Sequence, residues 1–367
     1  MTPSNRIPAG VWNAIDYERL APQHMEVGRH AYVAGGCGWD RTVAANRTAF
    51  DRWAVLPRLL RDLREGHTRL TLTGLDLPHP LLLAPVAHQR LAHPDAELAT
   101  ARAAQATGSG LVASTLSSCT LEAIAAASGP ARWFQLYLQP ERAHSLDLLR
   151  RAEAAGYRAI VLTLDASIQL ASRSALQAGF TMPNDCVAAN LAPYPPMPAT
   201  ALADGESRIF QGAMRHAPLW DDLQWLLAQT RLSVWVKGVL HPEDARRLQA
   251  AGCAGLIVSN HGGRSLDGAP ASLDMLPAIR AAVGQGYPLL LDGGIRSGAD
   301  AFKALALGAN AVLVGRLQVW ALAVAGALGV AHMLQLLTEE LHATMAQAGC
   351  ARLSDITPDC LTPATPC

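Results

Sequence analysis

Along this chain, short apolar runs recur, and each is followed by an Ala-rich stretch. The runs are PLLLAPV from Pro80, GLVAS from Gly110, WFQLY from Trp133, AIVLTLD from Ala159, SVWVKG from Ser233, GLIVSNH from Gly255, PLLLDGG from Pro288 and AVLVGR from Ala311. Between them lie segments such as PEDARRLQAAG and GADAFKALALGA, with helical spacing and a glycine where a C-cap belongs. Strand and helix alternating eight times predicts an α/β fold, a (β/α)8 TIM barrel.

The spacing is even except between the fourth and fifth runs. There, Ala166 to about Trp220 adds a Pro- and Ala-rich connection that includes NLAPYPPMPATALADG. A connection that long reads as a lid or insertion, expected over the active site and partly mobile. Residues 1–75 read as an N-terminal helical segment packing on the barrel, 76–350 as the barrel with its 166–220 insertion, and 351–367 as a C-terminal tail. Leu317 to Thr338 is long and apolar enough to suggest a membrane span. Gln318, His332, Gln335 and the internal glycines fit a helix buried in a large protein better, so no membrane role is expected.

The polar residues sit where the apolar runs stop: Ala87-His88-Gln89, Ser114-Thr115, Gln135 and Tyr137, Thr163 and Asp165, Lys237, Ser259-Asn260-His261, Asp292-Gly293-Gly294 and Gly315-Arg316. In a barrel these ends converge on the C-terminal face, where active sites of this fold lie. One polar strand end carries no argument, but eight in register predict a site.

Composition narrows the partners. A chain of 367 residues suits one barrel of about 250 residues with additions, or two ordinary domains. Zero net charge and a pI near 7.2 leave no footprint for nucleic acid. Seven cysteines (37, 119, 186, 253, 350, 360 and 367) form no CxxC pair and are odd in number, which reads as reduced thiols in a cytoplasmic enzyme, with no zinc or other metal site. The first twenty residues lack a continuous apolar core, so no secretory signal is expected.

Two strand ends form a candidate phosphate cradle. DGGIRSG (292–298) offers backbone N–H groups free of side chains, with Arg296, and Gly315-Arg316 offers the same on the next strand. The plainer reading is a tight turn beside a surface charge. Lys237, alone at the end of an apolar strand, is placed either to stabilise a reduced flavin or to make an ion pair inside the barrel. No GxGxxG follows a strand, so a nicotinamide site is unsupported.

With these residues in view, the chain resembles the FMN-dependent α-hydroxy-acid oxidase and dehydrogenase family, from about Tyr32 to Cys350. SNHGGRSLDG from Ser259 is the most specific motif. YVAGGCG, NRTAF, APVAHQRLAHP, TLSSCTLEAIA, WFQLY and LDGGIRSGAD read like the bacterial hydroxymandelate oxidase type. The resemblance implies His261 as the base, Asp165 as its partner, and Tyr137 and Tyr32 lining the substrate site. It implies Arg264 as the carboxylate clamp, with a small hydroxy acid as substrate and O2 or another acceptor taking the electrons. For FMN it implies Ala87, Ser114, Gln135, Thr163, Lys237 and Ser259, with Asp292, Gly294, Arg296, Gly315 and Arg316 on the phosphate side. It also implies a homo-oligomer, commonly a tetramer.

The pattern breaks in TLDASIQLASRSALQAGF, Thr163 to Phe180. Family members carry a proline where Ser167 stands and a Gly-Arg-Arg run whose second arginine also binds the carboxylate. The ungapped positions here are Ala171 and Ser172, with Arg173 one residue beyond. Either Arg173 restores the clamp, or the substrate is an ester, amide or carrier-tethered acid, or the barrel keeps its flavin with changed or lost chemistry. Leu116, where some members carry Trp, implies a roomier pocket for aromatic or branched substrates. Oxidative decarboxylation is the variant expected if peroxide stays with the keto acid. Non-redox use of the barrel, as in type 2 isopentenyl diphosphate isomerases, is opposed by HGGR and Asp165.

Overall fold

The structure is a computed structural model and describes residues 6–195 and 201–364. Its eight central strands are β1 (Leu81–Leu83), β2 (Gly110–Ser114), β3 (Arg132–Leu136), β4 (Ala159–Thr163), β5 (Ser233–Val239), β6 (Gly255–Val258), β7 (Leu289–Asp292) and β8 (Ala311–Val314). All eight expected runs supply a strand. Each pairs in parallel with its sequence neighbours, and β8 returns to β1 through Val312–Leu81, Leu313–Leu82 and Val314–Leu83, closing a (β/α)8 barrel. Helices wrap the outside, and alternate strand residues face in and out.

Inward residues fill the barrel. Leu82, Val112, Trp133, Val161, Trp235, Ile257, Leu290 and Leu313 form one buried cluster, with the Trp133 and Trp235 rings 4.9 Å apart. Gly255 makes room for this pair, because a Cβ there would come within 2.3 Å of the Trp235 ring.

The N-terminal segment departs from the helical expectation after residue 51. Helices Asp16–Leu20, Val27–Ala34 and Arg41–Asp51 come first, then strands. Trp53–Val55 pairs antiparallel with Leu361–Pro363, and Leu70–Leu72 pairs with Leu75–Leu77. The reason is local. Two apolar-polar-apolar triplets flank Thr73-Gly74, both at positive φ (50° and 72°), which is hairpin chemistry. Leu72 and Leu77 join the interior cluster and floor the barrel.

The helix Arg316–Ala348, broken at Ala325-Gly326, is long and apolar enough to cross a membrane. Here 78% of its most apolar window is buried. Gln318 Nε2 donates to the carbonyls of Ala84 and Val314 at 2.9 and 2.8 Å, so the polar residue inside the apolar run seats the helix on the barrel.

The insertion after β4 carries the short helix Arg173–Gln177 and is tied to β2 by Asn190. Asn190 Oδ1 accepts from Leu121 N at 2.8 Å, and its Nδ2 donates to the carbonyls of Ser114 and Thr115 at 3.3 and 3.4 Å. Of the Pro-rich stretch expected to be mobile, residues 196–200 lie outside the described residues.

Candidate active site

Strand β5 holds a β-bulge between Lys237 and Val239, and this irregularity builds the centre of the site. Gly238, at φ 101°, lets Asp165 approach the strand. A Cβ there would meet the Asp165 side chain at 2.5 Å. Lys237 is turned inward, where Nζ lies 3.1 Å from Asp292 Oδ2 and donates to Ser259 Oγ at 2.8 Å. Burial disfavours its charge, but Asp292 and Asp165 outweigh burial and raise the Lys237 pKa above its ordinary value.

His261 follows β6 in a left-handed conformation, φ 59°, with Gly262 and Gly263 also at positive φ. For a non-glycine residue that conformation costs about 1–2 kcal/mol and needs a framework. Asn260 provides it by accepting from Gly263 N at 3.0 Å, while Ser259 Oγ accepts from His261 N at 3.0 Å. The result is directed chemistry. Nδ1 lies 2.8 Å from Asp165 Oδ1, and Nε2 lies 3.4 Å from the Tyr137 hydroxyl. Burial pushes the Asp165 carboxyl up, but the His261 and Lys237 charges prevail and hold it below the usual carboxylate value. Burial pushes the Tyr137 phenol up to about 12, so it is a neutral hydrogen-bond donor near neutral pH.

These groups open on a cavity of about 1100 Å³, counting its mouth. Of the residues expected from sequence, Tyr32, Ala87, Ser114, Tyr137, Lys237, His261, Arg264, Asp292, Gly294, Arg296, Gly315 and Arg316 line it. Asp165, Gln135, Thr163 and Ser259 stand behind the lining, Gln135 accepting from Ser114 Oγ at 3.2 Å. Arg264 gives Nη1 to the carbonyls of Tyr32 and Gly35 at 2.9 and 2.8 Å and lies over the Tyr32 ring at 4.9 Å.

Arg173 is the exception. Its guanidinium stacks on the exposed indole of Trp39 at 4.0 Å and is not part of the cavity lining. Ser172 explains why: its Oγ accepts from Ala175 N at 3.3 Å, capping the helix that starts at Arg173 and turning that side chain outward. Arg173, expected from sequence to bind substrate, therefore lies outside the cavity lining in this structure. Gln169, from the same loop, and His88, after β1, line the cavity instead. His88 is left-handed at φ 53°, and burial lowers its pKa.

The phosphate cradle is equally specific. Gly294 permits close contact with the helix Arg41–Asp51, since a Cβ there would sit 2.2 Å from Asn46 O, and Arg47 Nη1 donates to the Gly294 carbonyl. Arg316 opens the long helix, whose N-terminus favours an anion. Burial first, then the Arg264 and Arg296 charges, lowers its pKa to about 9, and its guanidinium donates to the carbonyls of Val33, Gly262 and Gly35. Arg296 makes a two-pronged pair with Glu18, at 2.6 and 3.0 Å.

A barrel with a helix-terminal anion cradle after β7 and β8, a buried lysine and a carboxylate-oriented histidine defines a flavin-type oxidoreductase site. The profile of the FMN-dependent dehydrogenase family matches residues 21–363, and the chain belongs to that family, the FMN-dependent α-hydroxy-acid oxidases. It is 86% identical to an L-lactate oxidase of Alicycliphilus denitrificans, over 99% of this chain and all of that protein. It is 46% identical to a 4-hydroxymandelate oxidase of Amycolatopsis orientalis, over 91% of this chain and 94% of that one. A solved mandelate oxidase variant with (S)-mandelic acid superposes with a TM-score of 0.86 at 42% identity, covering 97% of this chain and 99% of its own.

The residues present fit FMN. The buried atoms Gln135 Nε2, Thr163 Oγ1 and Asp292 Oδ1 have no hydrogen-bond partner within the protein; all three lie at the C-terminal ends of barrel strands, and Thr163 and Asp292 adjoin Lys237. Such orphaned polar atoms suit the donor and acceptor edge of a flavin ring. The protein is thus an FMN-dependent oxidoreductase acting on the CH–OH group of α-hydroxy acids.

Proposed function

We propose that the enzyme oxidises a small L-2-hydroxy acid of the lactate type to the 2-keto acid, with His261 as base. FMN, when bound, supplies the two-electron acceptor, and dioxygen is its proposed oxidant. His261 Nε2, facing the cavity, takes a proton from the substrate. Asp165 holds the ring's tautomer and stabilises the imidazolium that results. Tyr137 donates a hydrogen bond beside Nε2 to the substrate oxygen, and Arg264 with Tyr32 receives the carboxylate. The 2.8 Å contact from His261 to Asp165 carries this reading. The lactate oxidase relative at 86% identity supports a small acid ahead of the aromatic or branched one suggested by Leu116.

A second reading, turnover of neutral esters or amides, is favoured by the outward Arg173 and the capping Ser172, which leave Arg264 to meet a carboxylate. Anaerobic titration of the holoenzyme decides between them by the bleaching of its visible flavin absorbance. L-lactate bleaching faster than (S)-mandelate or methyl lactate supports the first proposal. Bleaching by the esters alone supports the second, and no bleaching by any of them overturns both.

A further inference from the structure

Cys350 directly follows Gly349, the C-cap of the long helix, and Cys360 ends the turn Pro358–Cys360 just before the strand Leu361–Pro363. Their Sγ atoms are 3.7 Å apart, and each residue is about 5% exposed. Both sulfurs also face the carbonyl of Asp355, at 3.5 and 3.6 Å, so one backbone group fixes both thiols at the same point. Among the described residues, no other pair of cysteines is in contact.

A disulfide needs an S–S distance of about 2.05 Å, so closure asks for an approach of roughly 1.6 Å, within reach of side-chain rotation and a small loop shift. Access is the remaining requirement. The connecting residues 351–359 form two short turns and are largely exposed, with Ile356 the one fully buried side chain. Local opening of such a segment admits a small reagent without unfolding the barrel. Burial, with Cys360 and Asp355 adding to it, pushes the Cys350 thiol up to about 12. The closed pair is therefore unreactive, and opening controls the rate.

We propose that Cys350 and Cys360 form a reversible thiol–disulfide exchange site for small-molecule disulfides of the glutathione type. One cysteine, as its thiolate, attacks the reagent's sulfur, forming a mixed disulfide and expelling one thiolate. The other then displaces the second. Two protein thiols are oxidised to one S–S bond, the reagent disulfide is reduced to two thiols, and the two protein protons end on the released thiols. The bond pins the end of the long helix to the strand that pairs with Trp53–Val55.

The test uses the reduced FMN-loaded enzyme, equilibrated with oxidised glutathione, acid-quenched, alkylated and cut with trypsin. Arg352 lies between the two cysteines, so cleavage separates peptide 317–352 from 353–367 unless a disulfide joins them. The expected product is the joined pair, with fragmentation placing the bond at Cys360. It should persist in Cys367→Ser and vanish in Cys360→Ser. Oxidation should also raise the Tm of the wild type by a few degrees and leave Cys360→Ser unmoved. Separate peptides carrying stable glutathione adducts, unmodified thiols after long exposure, or a bond that maps to Cys367 would each overturn the proposal. The peptide analysis is made on the wild type, so it remains decisive even if a variant fails to fold.

Discussion

Asn46 and Asn260 exchange a reciprocal pair of side-chain hydrogen bonds, Nδ2 to Oδ1 at 2.8 Å in each direction, across 214 residues of sequence. Asn46 sits on the helix that meets the phosphate cradle, and Asn260 holds the turn that presents His261. This amide pair links the two halves of the site, beside the Arg47 contact to Gly294. Asn260→Ala is expected to lower kcat by up to about 100-fold through misplacement of the imidazole. KM should change much less, and steady-state kinetics over a range of substrate concentrations checks the split.

Removing His261, the proposed base, should be more severe. His261→Gln is expected to lower kcat by roughly 10²–10⁴-fold while FMN stays bound. Asp165→Asn should fall between that and wild type, because the ring remains but loses its orienting anion. Stopped-flow measurement of flavin reduction isolates the step from reoxidation.

Lys237 and Asp292 are both buried and compensate each other. Lys237→Met leaves the carboxylate unpaired, a change that typically costs about 3–5 kcal/mol. Weaker FMN retention and a lower Tm are expected. The double variant with Asp292→Asn should recover part of the Tm but none of the activity, as thermal melts and flavin content after gel filtration would show.

Arg264 lines the cavity, whereas Arg173 stacks on Trp39 outside it, and Arg264 is the proposed carboxylate ligand. Arg264→Gln is therefore expected to raise KM for a free hydroxy acid by about 30-fold or more, since loss of a charged partner typically costs about 2–5 kcal/mol. The same substitution should barely alter kcat/KM for the methyl ester. Equal losses for acid and ester would show that Arg264 shapes the pocket without reading charge.

The folded-state pKa of Asp165 lies below its ordinary 3.8. A depressed carboxylate stabilises the fold above its unfolded-state value, and that contribution is lost as pH falls through the folded value. The Tm of the wild type should then drop steeply below about pH 4, and Asp165→Asn should show a shallower acid limb. Melts taken in steps between neutral and strongly acidic buffers test the sign directly.

Much of this is legible in the chain. All eight strands can be placed because each is an apolar run bounded by turn residues, and their polar ends lead into the site because barrel geometry forces them together. Other parts give no local signal. Glu18 reaches Arg296, and Asn190 ties the insertion to β2, yet each is an ordinary polar residue whose partner lies far away in sequence. Arg173 reads as a ligand by proximity, whereas a helix cap one residue earlier decides its direction. The hairpin at Thr73-Gly74 escapes the pattern because three-residue strands are too short for periodicity to register. The Cys350–Cys360 contact depends on a turn that residue spacing does not reveal.

The cradle after β7 and β8 also constrains how the protein comes into being. Its parts span Glu18 and Arg47 near the start of the chain and Arg316 near its end. A ribosome releases Arg316 only after most of the polypeptide has emerged, so the complete cradle can form only late in synthesis. Glu18, Arg47 and Asn46 find their partners only in the second half of the barrel, so the front helices dock late, when contacts of high sequence separation can close.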